Sequence, residues 1–260
     1  MQTAVREHTI PGWTELEIEL DAWHASGTCA TFWLRDDDVT RPGPRLKRLF
    51  SVAGTAPLAL AVIPLEASDE LAACVRERNG VTALQHGYAH INHALPDEKK
   101  SEFGDNRPPA TMMAEIEAGR DRIAALFGDR FLPVFVPPWN RVSASIASRL
   151  VEHGFLGLST YGPRHRDSAR RTVNCHADLI DWRGSRGFVG EGEILTQIVD
   201  HLSARRRKSV DTTEPTGLLT HHRDHDPPCW QFIETFVRTV EDHPGAAWTP
   251  VQMALSGAPR

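Results

Sequence analysis

Three short polar segments of this chain each follow an apolar, strand-like run. They read Arg35-Asp36-Asp37-Asp38, His86-Gly87-Tyr88-Ala89-His90 and Leu218-Leu219-Thr220-His221-His222. Carboxylates and imidazoles are the side chains that bind divalent metals and move protons in hydrolases. If the strands are parallel, the segments that follow them meet at one edge of a sheet. The pattern therefore predicts a metal-assisted hydrolase site.

Apolar runs alternate with amphipathic stretches along the chain, which favours parallel strands joined by helices. The candidate strands are residues 30–34, 58–63, 81–84, 134–136, 155–158, 179–180 and 217–219. Helices are predicted over about 111–127, over 143–154 and after Asp226, where Pro227 takes the first helical position. A barrel and a doubly wound sheet both fit this alternation, and both gather the loops after the strands on one face.

Length and composition favour one soluble enzyme-sized domain. We expect a single domain over residues 1–260, with its core at about 29–225. The net charge of −5 gives no footprint for nucleic acid. Neither a signal-peptide pattern nor an apolar stretch of about 18 residues occurs, so we expect a cytoplasmic protein with no membrane partner. The four cysteines are scattered, which favours reduced thiols, and a homo-oligomer is compatible with the sequence.

The polar segments have both a metal-binding and a structural interpretation. Three consecutive carboxylates at a strand end repel one another, and a divalent cation relieves that repulsion. His86 and His90 are spaced i and i+4, so they lie on one face if the chain turns helical after Gln85. Alternatively, the Asp run caps a helix or faces solvent, and the histidines pack in the core. Their shared position after strands favours the metal site.

Two long polar loops are predicted, at about residues 96–109 and 163–171. Long loops in compact domains are often lids. Their basic side chains, and one nearby, are candidate contacts for an anionic group of a substrate, with solvated charges as the alternative: Lys99, Lys100, Arg141 and Arg164. Further polar residues are candidates for supporting the site from behind: His93, Asn174, His176 and His222.

The motifs resemble those of the NodB-type polysaccharide deacetylases, metal-dependent amidases and esterases on a deformed (β/α)7 barrel. The resemblance covers about residues 31–222. In that family the first motif pairs a base Asp with a metal-binding Asp. It therefore implies Asp37 as the base and Asp38 as the ligand, with Asp36 as an alternative in register.

The second, fourth and fifth family motifs follow in the family's order. They are a pair of histidines four apart (His86 and His90), an Asp-Trp pair (Asp181-Trp182) and a Leu-x-His segment (Leu219-Thr220-His221). One position departs from the second motif, because Gly87 stands where the family often has Ser or Thr. Metal binding is expected to survive that change.

The third family motif is an Arg-Pro-Pro-aromatic turn, and residues 136–141 resemble it. Val136 stands where the family has Arg. That Arg normally pairs with the base Asp. Either Arg35 or Arg141 takes over its role here, or the base lacks such a partner.

The resemblance also implies the chemistry of the site. A divalent metal, zinc first and Co²⁺, Ni²⁺ or Mn²⁺ as alternatives, would be held by three ligands: Asp38, His86 and His90. Asp37 is then the general base. His221 is the general acid, oriented by Asp181, and the backbone N–H of Trp139 stabilises the oxyanion. The candidate substrate contacts are Tyr88, Pro138, Asn140, Arg141 and Trp182.

The predicted function is removal of an acetyl or other acyl group from an N-acylated sugar, an oligosaccharide or a related small molecule. One alternative is another hydrolase of non-peptide C–N bonds on the same fold, such as an allantoinase-like enzyme. The other is a catalytically silent member that binds or senses a ligand. Val136 and the additional Asp36 are the features that favour the silent member.

Overall fold

Helices and parallel strands alternate along the chain in the computed structural model, which describes residues 12–165 and 171–256. The strands are β1 (Ala30–Val39), β2 (Leu58–Val62), β3 (Val81–His86), β4 (Phe131–Val136), β5 (Gly157–Leu158), β6 (Ala177–Asp178), β7 (Thr216–Thr220) and β8 (Ala246–Trp248). The helices are α1 (Trp13–Ala25), α2 (Pro44–Val52), α3 (Asp69–Arg76), α4 (Pro109–Phe127), α5 (Ala144–Ala147), α6 (Glu191–Arg206), α7 (Pro227–Asp242) and α8 (Val251–Ser256).

The strands form a curled parallel sheet in which β1 pairs with three other strands, β2, β7 and β8. The order across the sheet is β5-β4-β3-β2-β1-β7-β6, and β8 pairs with the first residues of β1. Every strand pair in it is parallel. Isolated bridges from the segment after β5 extend the curl, including Tyr161 to Cys175. This is the deformed (β/α)7 barrel that the sequence predicts.

The two faces of β1 pack against two different hydrophobic clusters. Side chains of a strand alternate between faces. Phe32 and Leu34 pack with the outer helices, whereas Trp33 packs in a separate cluster with residues of β2, β3 and β4. Arg35 and Asp37 therefore share the face of Trp33, and Asp36 shares the face of Leu34. Both faces are buried, which is typical of parallel sheets covered by helices.

The three predicted helices are present to different extents. The Asp226 carboxylate accepts a hydrogen bond from the backbone N–H of Cys229 and begins α7, as predicted. Helix α4 covers the stretch predicted over 111–127. The helix predicted over 143–154 is only the short α5, because the chain after Ala147 continues in turns.

The main hydrophobic core extends beyond residues 29–225. Helix α1 contributes Leu16 and Leu20, and the C-terminal elements contribute Trp230, Phe236 and Trp248. Among the residues that the structure describes, none of the helices has the length and hydrophobicity needed to cross a membrane.

Candidate functional site

The three polar segments meet at the carboxyl ends of the strands. Asp37 and Asp38 lie near the end of β1, His86 is the last residue of β3, and His221 follows β7 directly. Because β1 pairs in parallel with β7 and, through β2, connects to β3, these ends share one edge of the sheet. The structure thus brings together the predicted residues of the first, second and fifth motifs.

Asp38, His86 and His90 form a compact candidate metal centre. The Asp38 Oδ1 atom lies 3.0 Å from Nε2 of His86 and 3.1 Å from Nε2 of His90. Asp38 (φ 62°) and His90 (φ 57°) both adopt left-handed backbone conformations, which are uncommon for residues other than glycine. The ladder between β1 and β2 shifts register between Asp36 and Val39. This irregularity lets consecutive aspartates turn toward the same site.

The two histidines meet without the helical turn that was considered as the way to bring them together. The chain leaves β3 at His86 and passes through an irregular loop, with Gly87 at φ 57°. His86 and His90 therefore meet across a left-handed loop, and their ring centroids are 5.2 Å apart.

The donor set fits a divalent cation. The Nδ1 atom of His86 lies 3.0 Å from the carbonyl oxygen of Val136, which accepts the Nδ1 proton. In the neutral ring, Nε2 then presents a lone pair toward the Asp38 carboxylate. Two lone-pair atoms at this distance repel unless a proton or a metal ion lies between them. Half-buried Asp38 and His90 leave the centre accessible.

The pKa shifts of Asp38 and His86 also favour a positive charge at the candidate metal centre. Burial raises the pKa of Asp38, but hydrogen bonds from His86 and His90 outweigh it and hold this pKa well below its usual range. Burial lowers the pKa of His86, whereas the charges of Asp37 and Asp38 raise it more, so the net shift is upward. The carboxylates at this edge therefore attract a cation.

Asp37 is held by an arginine of its own strand. Arg35 Nε lies 2.9 Å from Asp37 Oδ1, and Arg35 Nη2 donates to Asp37 Oδ2 at 3.0 Å. Both side chains are almost completely buried. Burial lowers the pKa of Arg35, but the nearby charge of Asp37 outweighs burial and the net shift is upward, so the guanidinium remains charged. The pair gives Asp37 a fixed orientation and a compensating charge.

Arg35, and not Arg141, pairs with Asp37. Its remaining N–H groups donate to Ser159 Oγ, the Thr160 carbonyl and Asn140 Oδ1. Arg141 instead donates to the Lys100 carbonyl at the rim. Val136 is buried in the cluster that contains Trp33. The predicted substrate contact Asn140 thus orients Arg35.

The predicted Pro-Pro-Trp turn packs against the loop of the second motif. Trp139 has a left-handed conformation (φ 55°), and its ring centroid is 4.5 Å from that of His90. Pro138 is buried below Gly87, at which a Cβ atom would lie 2.6 Å from Pro138 Cδ and would also clash with Glu102 Oε2. Gly87 therefore stands at a position where this turn has no room for a side chain.

Glu102 supports the same loop and was missed by the sequence analysis. Its carboxylate accepts backbone N–H groups from Tyr88 (3.1 Å) and Ala89 (2.7 Å), between the two histidines. Glu102 and Phe103 are buried, so the middle of the predicted polar loop at 96–109 is anchored in the protein. The half-buried Tyr88 packs beside the Phe103 cluster. In the sequence, the aromatic Phe103 directly after Glu102 indicates that this part of the polar loop is anchored.

Asp178, and not Asp181, accompanies His221. Asp178 Oδ1 lies 4.0 Å from Nδ1 of His221, and Trp182 Nε1 donates to Asp178 Oδ2 at 2.9 Å. The Trp182 ring contacts the His221 ring edge-on, with centroids 4.6 Å apart. Burial raises the pKa of Asp178, and the neighbouring His221 opposes this only in part.

The predicted role of Asp181 is wrong. Its carboxylate accepts backbone N–H groups from Arg183, Gly184 and Ser185, and so closes a surface turn. The error came from the strand boundary, because β6 ends at Asp178 and not at residue 180. The residue at the strand end faces the site, as the general rule predicts.

Asp36 does not compete with Asp37 for the role of base. It is completely buried on the opposite face of β1 and contacts Thr220 and His222. Burial raises the pKa of Asp36, but the charge of His222 outweighs it and gives a net decrease. The register assignment to Asp37 and Asp38 is therefore the one that fits the geometry.

Arg164 is not available to a substrate. It is buried, pairs with Asp211 at 2.8 Å and donates to the Thr172 carbonyl and Thr213 Oγ1. Of the predicted loop at 163–171, residues 166–170 lie outside the described part of the chain. Lys99, Lys100 and His93 are exposed at the rim, and Asn174 supports Thr160 from within the fold.

A second cluster, His176, His201 and Glu214, also brings three ligand atoms together but does not fit a metal. The backbone N–H of Gly217 donates to Nδ1 of His176, so the proton of the neutral ring is on Nε2. The two imidazoles stack at 3.4 Å with their planes 13° apart, so their in-plane lone pairs cannot converge on one ion. Burial, followed by the charge of Arg205, lowers the pKa of His176.

Comparison with known proteins supports the fold. No model of a known protein family matches the sequence, and no curated protein matches it. Solved structures do match, with TM-scores just above 0.5. They include a family 4 carbohydrate esterase from Streptomyces lividans in complex with acetate, 16% identical over 82% of this chain and 88% of that chain (TM-score 0.51).

Two further structures share the architecture. A Streptococcus mutans CE4 esterase is 12% identical over 92% of this chain and 90% of its own, with a TM-score of 0.57. A peptidoglycan N-acetylglucosamine deacetylase is 15% identical over 87% of this chain and 88% of its own, with a TM-score of 0.51. The fold is therefore the deformed barrel of the family 4 carbohydrate esterases and polysaccharide deacetylases.

Proposed function

We propose that this protein is a metal-dependent deacetylase that removes an acetyl group from an N-acetylated sugar or a related small molecule. The observation that carries the proposal is the arrangement around Asp37. Its carboxylate is fixed by Arg35 beside the candidate metal centre, and His221 directly follows the neighbouring strand β7. The likeness to carbohydrate esterases and deacetylases supports this reaction and this substrate class.

Asp38, His86 and His90 would hold the metal. Two imidazole nitrogens and one carboxylate oxygen suit Zn²⁺, and Co²⁺, Ni²⁺ or Mn²⁺ are the alternatives. When bound, such an ion lowers the pKa of a water molecule and polarises an acyl carbonyl. The hydrogen bond of His86 to Val136 keeps one ligand nitrogen correctly oriented for this purpose.

The side chains around the centre divide the proton transfers. Asp37 accepts the proton of the attacking water, because it is an oriented carboxylate whose charge Arg35 balances. His221 donates a proton to the departing amine, with Asp178 beside its Nδ1 atom as the orienting carboxylate. The backbone N–H of Trp139 stabilises the developing oxyanion, a contribution that is typically about 3 kcal/mol.

The aromatic rim suits a sugar-sized substrate. Trp139 and Trp182 stand on two sides of the site, against His90 and His221 respectively. Flat aromatic faces pack well against the C–H faces of a pyranose ring. Pro138 supports this rim from below, and Arg141 lies at its edge. We place the enzyme in the cytoplasm, where the four cysteines would remain reduced thiols.

The arrangement of Arg35 counters the hypothesis of a silent binding protein. That hypothesis depended on Val136, which leaves the base without its usual partner, and Arg35 supplies that partner from another strand. The test is acetate release by the zinc-loaded protein from N-acetylated sugars, chitooligosaccharides and small cyclic amides. Release from sugars that disappears in Asp37→Asn supports the proposal. Activity only on cyclic amides identifies the allantoinase-like alternative, and no turnover of any probe contradicts an enzymatic function.

A further inference from the structure

The buried carboxylate of Asp36 links the two strands that carry the proposed base and the proposed acid. Asp36 belongs to β1, directly before Asp37, and in the β1–β7 ladder it lies opposite Thr220, directly before His221. It is completely buried and does not face the metal centre. None of the chemical steps above uses it.

Asp36 holds the residues on both sides of His221. Its Oδ1 atom accepts the Thr220 hydroxyl at 2.7 Å and the backbone N–H of His222 at 2.8 Å. Its Oδ2 atom lies 2.5 Å from Nδ1 of His222, which donates to it. One carboxylate thus binds three groups in the two residues that flank His221. Each of these bonds is charge-assisted and buried, which makes such contacts short and geometrically strict.

Within the described part of the chain, the backbone of His221 bonds inside its own loop: its N–H donates to Nε2 of His225, and its carbonyl accepts the N–H of Asp224. Arg45 binds the outer part of this loop through the carbonyls of His222 and His225. Two side chains connect the loop to β1. Arg223 donates to the Asp38 carbonyl at 3.3 Å from the exposed side, and Asp36 makes the buried contacts to the two residues that flank His221.

We propose that Asp36 is a positioning residue, which fixes the His221 ring relative to Asp37 and Asp178 by clamping Thr220 and His222. This proposal rests on the proposed function of His221 as the acid. The ring lies 4.0 Å from Asp178, so a displacement of about 1 Å changes its reach, and a shift of that size is enough to cost about 10²-fold in rate.

The dependence on the leaving group distinguishes positioning from simple stabilisation. An amine must be protonated as it leaves, so hydrolysis of an amide requires a correctly placed acid. A 4-nitrophenolate ion leaves without a proton. Displacing His221 should therefore slow hydrolysis of di-N-acetylchitobiose much more than hydrolysis of 4-nitrophenyl acetate, whereas a loss of folded protein slows both reactions equally.

The experiment compares the full-length zinc-loaded wild type with Asp36→Ala, Asp36→Asn and His222→Gln. We expect Asp36→Ala to lower kcat for di-N-acetylchitobiose about 100-fold, with KM and zinc content unchanged and a much smaller effect on the ester. Asn keeps an acceptor for Thr220 and the His222 N–H, so Asp36→Asn should restore most of the amide activity. If Asp36→Ala does not fold, His222→Gln, which removes the ring contact to Asp36 Oδ2, takes its place in the comparison of amide with ester, and Asp36→Asn remains the conservative variant.

Asp211→Ala is the matched control. Asp211 is also a buried carboxylate in an ion pair, with Arg164, but it precedes β7 at the opposite end of that strand. This variant should lose stability and keep the wild-type ratio of amide to ester rates. If Asp36→Ala keeps the wild-type ratio of amide to ester rates, as Asp211→Ala should, or if loss of zinc accounts for its entire defect, the proposal is wrong.

A crystal structure of Asp36→Asn and His222→Gln provides a readout that does not depend on turnover. A displaced His221 ring in His222→Gln, with a retained ring position in Asp36→Asn, supports the positioning role. If the wild type hydrolyses neither probe, the proposed function fails, and the position of His221 still decides the inference. An unmoved ring in both variants, with normal folding, overturns it.

Discussion

Arg35 contacts both carboxylate oxygens of Asp37, at 2.9 and 3.0 Å, from a position two residues earlier on the same strand. The two side chains share a face because strand side chains alternate. In the family that the sequence resembles, an arginine of the third motif pairs with the base, and Val136 stands at that position here. The arginine that pairs with Asp37, the proposed base, belongs to β1.

Arg35→Gln should lower kcat strongly. The Asp37 carboxylate would remain buried without a charge partner and without a fixed orientation, which predicts a loss of about 10²-fold in kcat and about 3 kcal/mol in stability. Steady-state kinetics and denaturant unfolding measure the two effects. The control is Arg206→Gln, which removes an ion pair between Arg206 of α6 and Glu19 of α1, and this variant should leave kcat unchanged. Equal kcat for Arg35→Gln and the wild type would refute this role.

Asp178→Asn and Asp181→Asn should have opposite profiles. Asp178 lies beside His221, so its amide replacement should reduce turnover by about 10- to 100-fold. Asp181 closes a surface turn with three backbone N–H groups, so its replacement should lower the stability slightly and leave the activity unchanged. Kinetics and thermal unfolding of both variants decide the assignment. A large activity loss in Asp181→Asn alone would reverse it.

Gly87→Ser should damage the loop of the two histidines. A side chain at this position meets Pro138 and Glu102 and also occupies a left-handed backbone conformation, so we expect a loss of about 2 kcal/mol or more. The matched control is Gly128→Ser, because Gly128 has a similar φ of 55° but open space around its Cα. Unfolding and zinc content measure the effect. If both variants lose the same stability and keep zinc, crowding at Gly87 is not the cause.

The pH dependence of stability should carry a contribution from Glu214. Burial raises the pKa of its carboxyl from 4.5 to about 7 in the folded protein. Between these values the folded state binds more protons than the unfolded chain, so this contribution is present at low pH and is lost as the pH rises toward about 7. The stability difference between wild type and Glu214→Gln should therefore decrease over this window. A difference that is independent of pH would contradict the prediction.

The sequence predicted the parallel architecture and the proximity of Asp38, His86 and His90, because both depend on local signals. A strand is recognisable from its apolar run, and a polar group after it must lie at the carboxyl edge of a parallel sheet. Asp38, His86 and His90 could therefore be assigned to one place. The close approach of these three side chains depends on the left-handed backbone of Asp38 and His90 and on a register shift in β1. The sequence contains no local signal for either feature.

Residues that support the site, such as Glu102 and Asp178, could not be predicted from the sequence, because their roles come from contacts between distant segments. Glu102 reaches the histidine loop from a polar loop that reads as exposed, and only the folded chain reveals its burial. Asp178 was missed because a two-residue strand is too short to locate from its composition. Asp36 and Asp37 are neighbours in the sequence, and their opposite environments follow from strand alternation once the boundary of β1 is known.

The central claim is that Asp38, His86 and His90 bind one divalent metal. Elemental analysis of the purified wild type, Asp38→Ala and His86→Ala, after reconstitution with zinc, tests it most directly. His201→Ala is the matched control, because His201 belongs to the second His-His-Glu cluster, whose stacked rings do not fit an ion. We predict about one zinc per chain in the wild type and in His201→Ala, and none in the other two variants. Zinc that persists in Asp38→Ala and His86→Ala, or disappears in His201→Ala, would contradict the account.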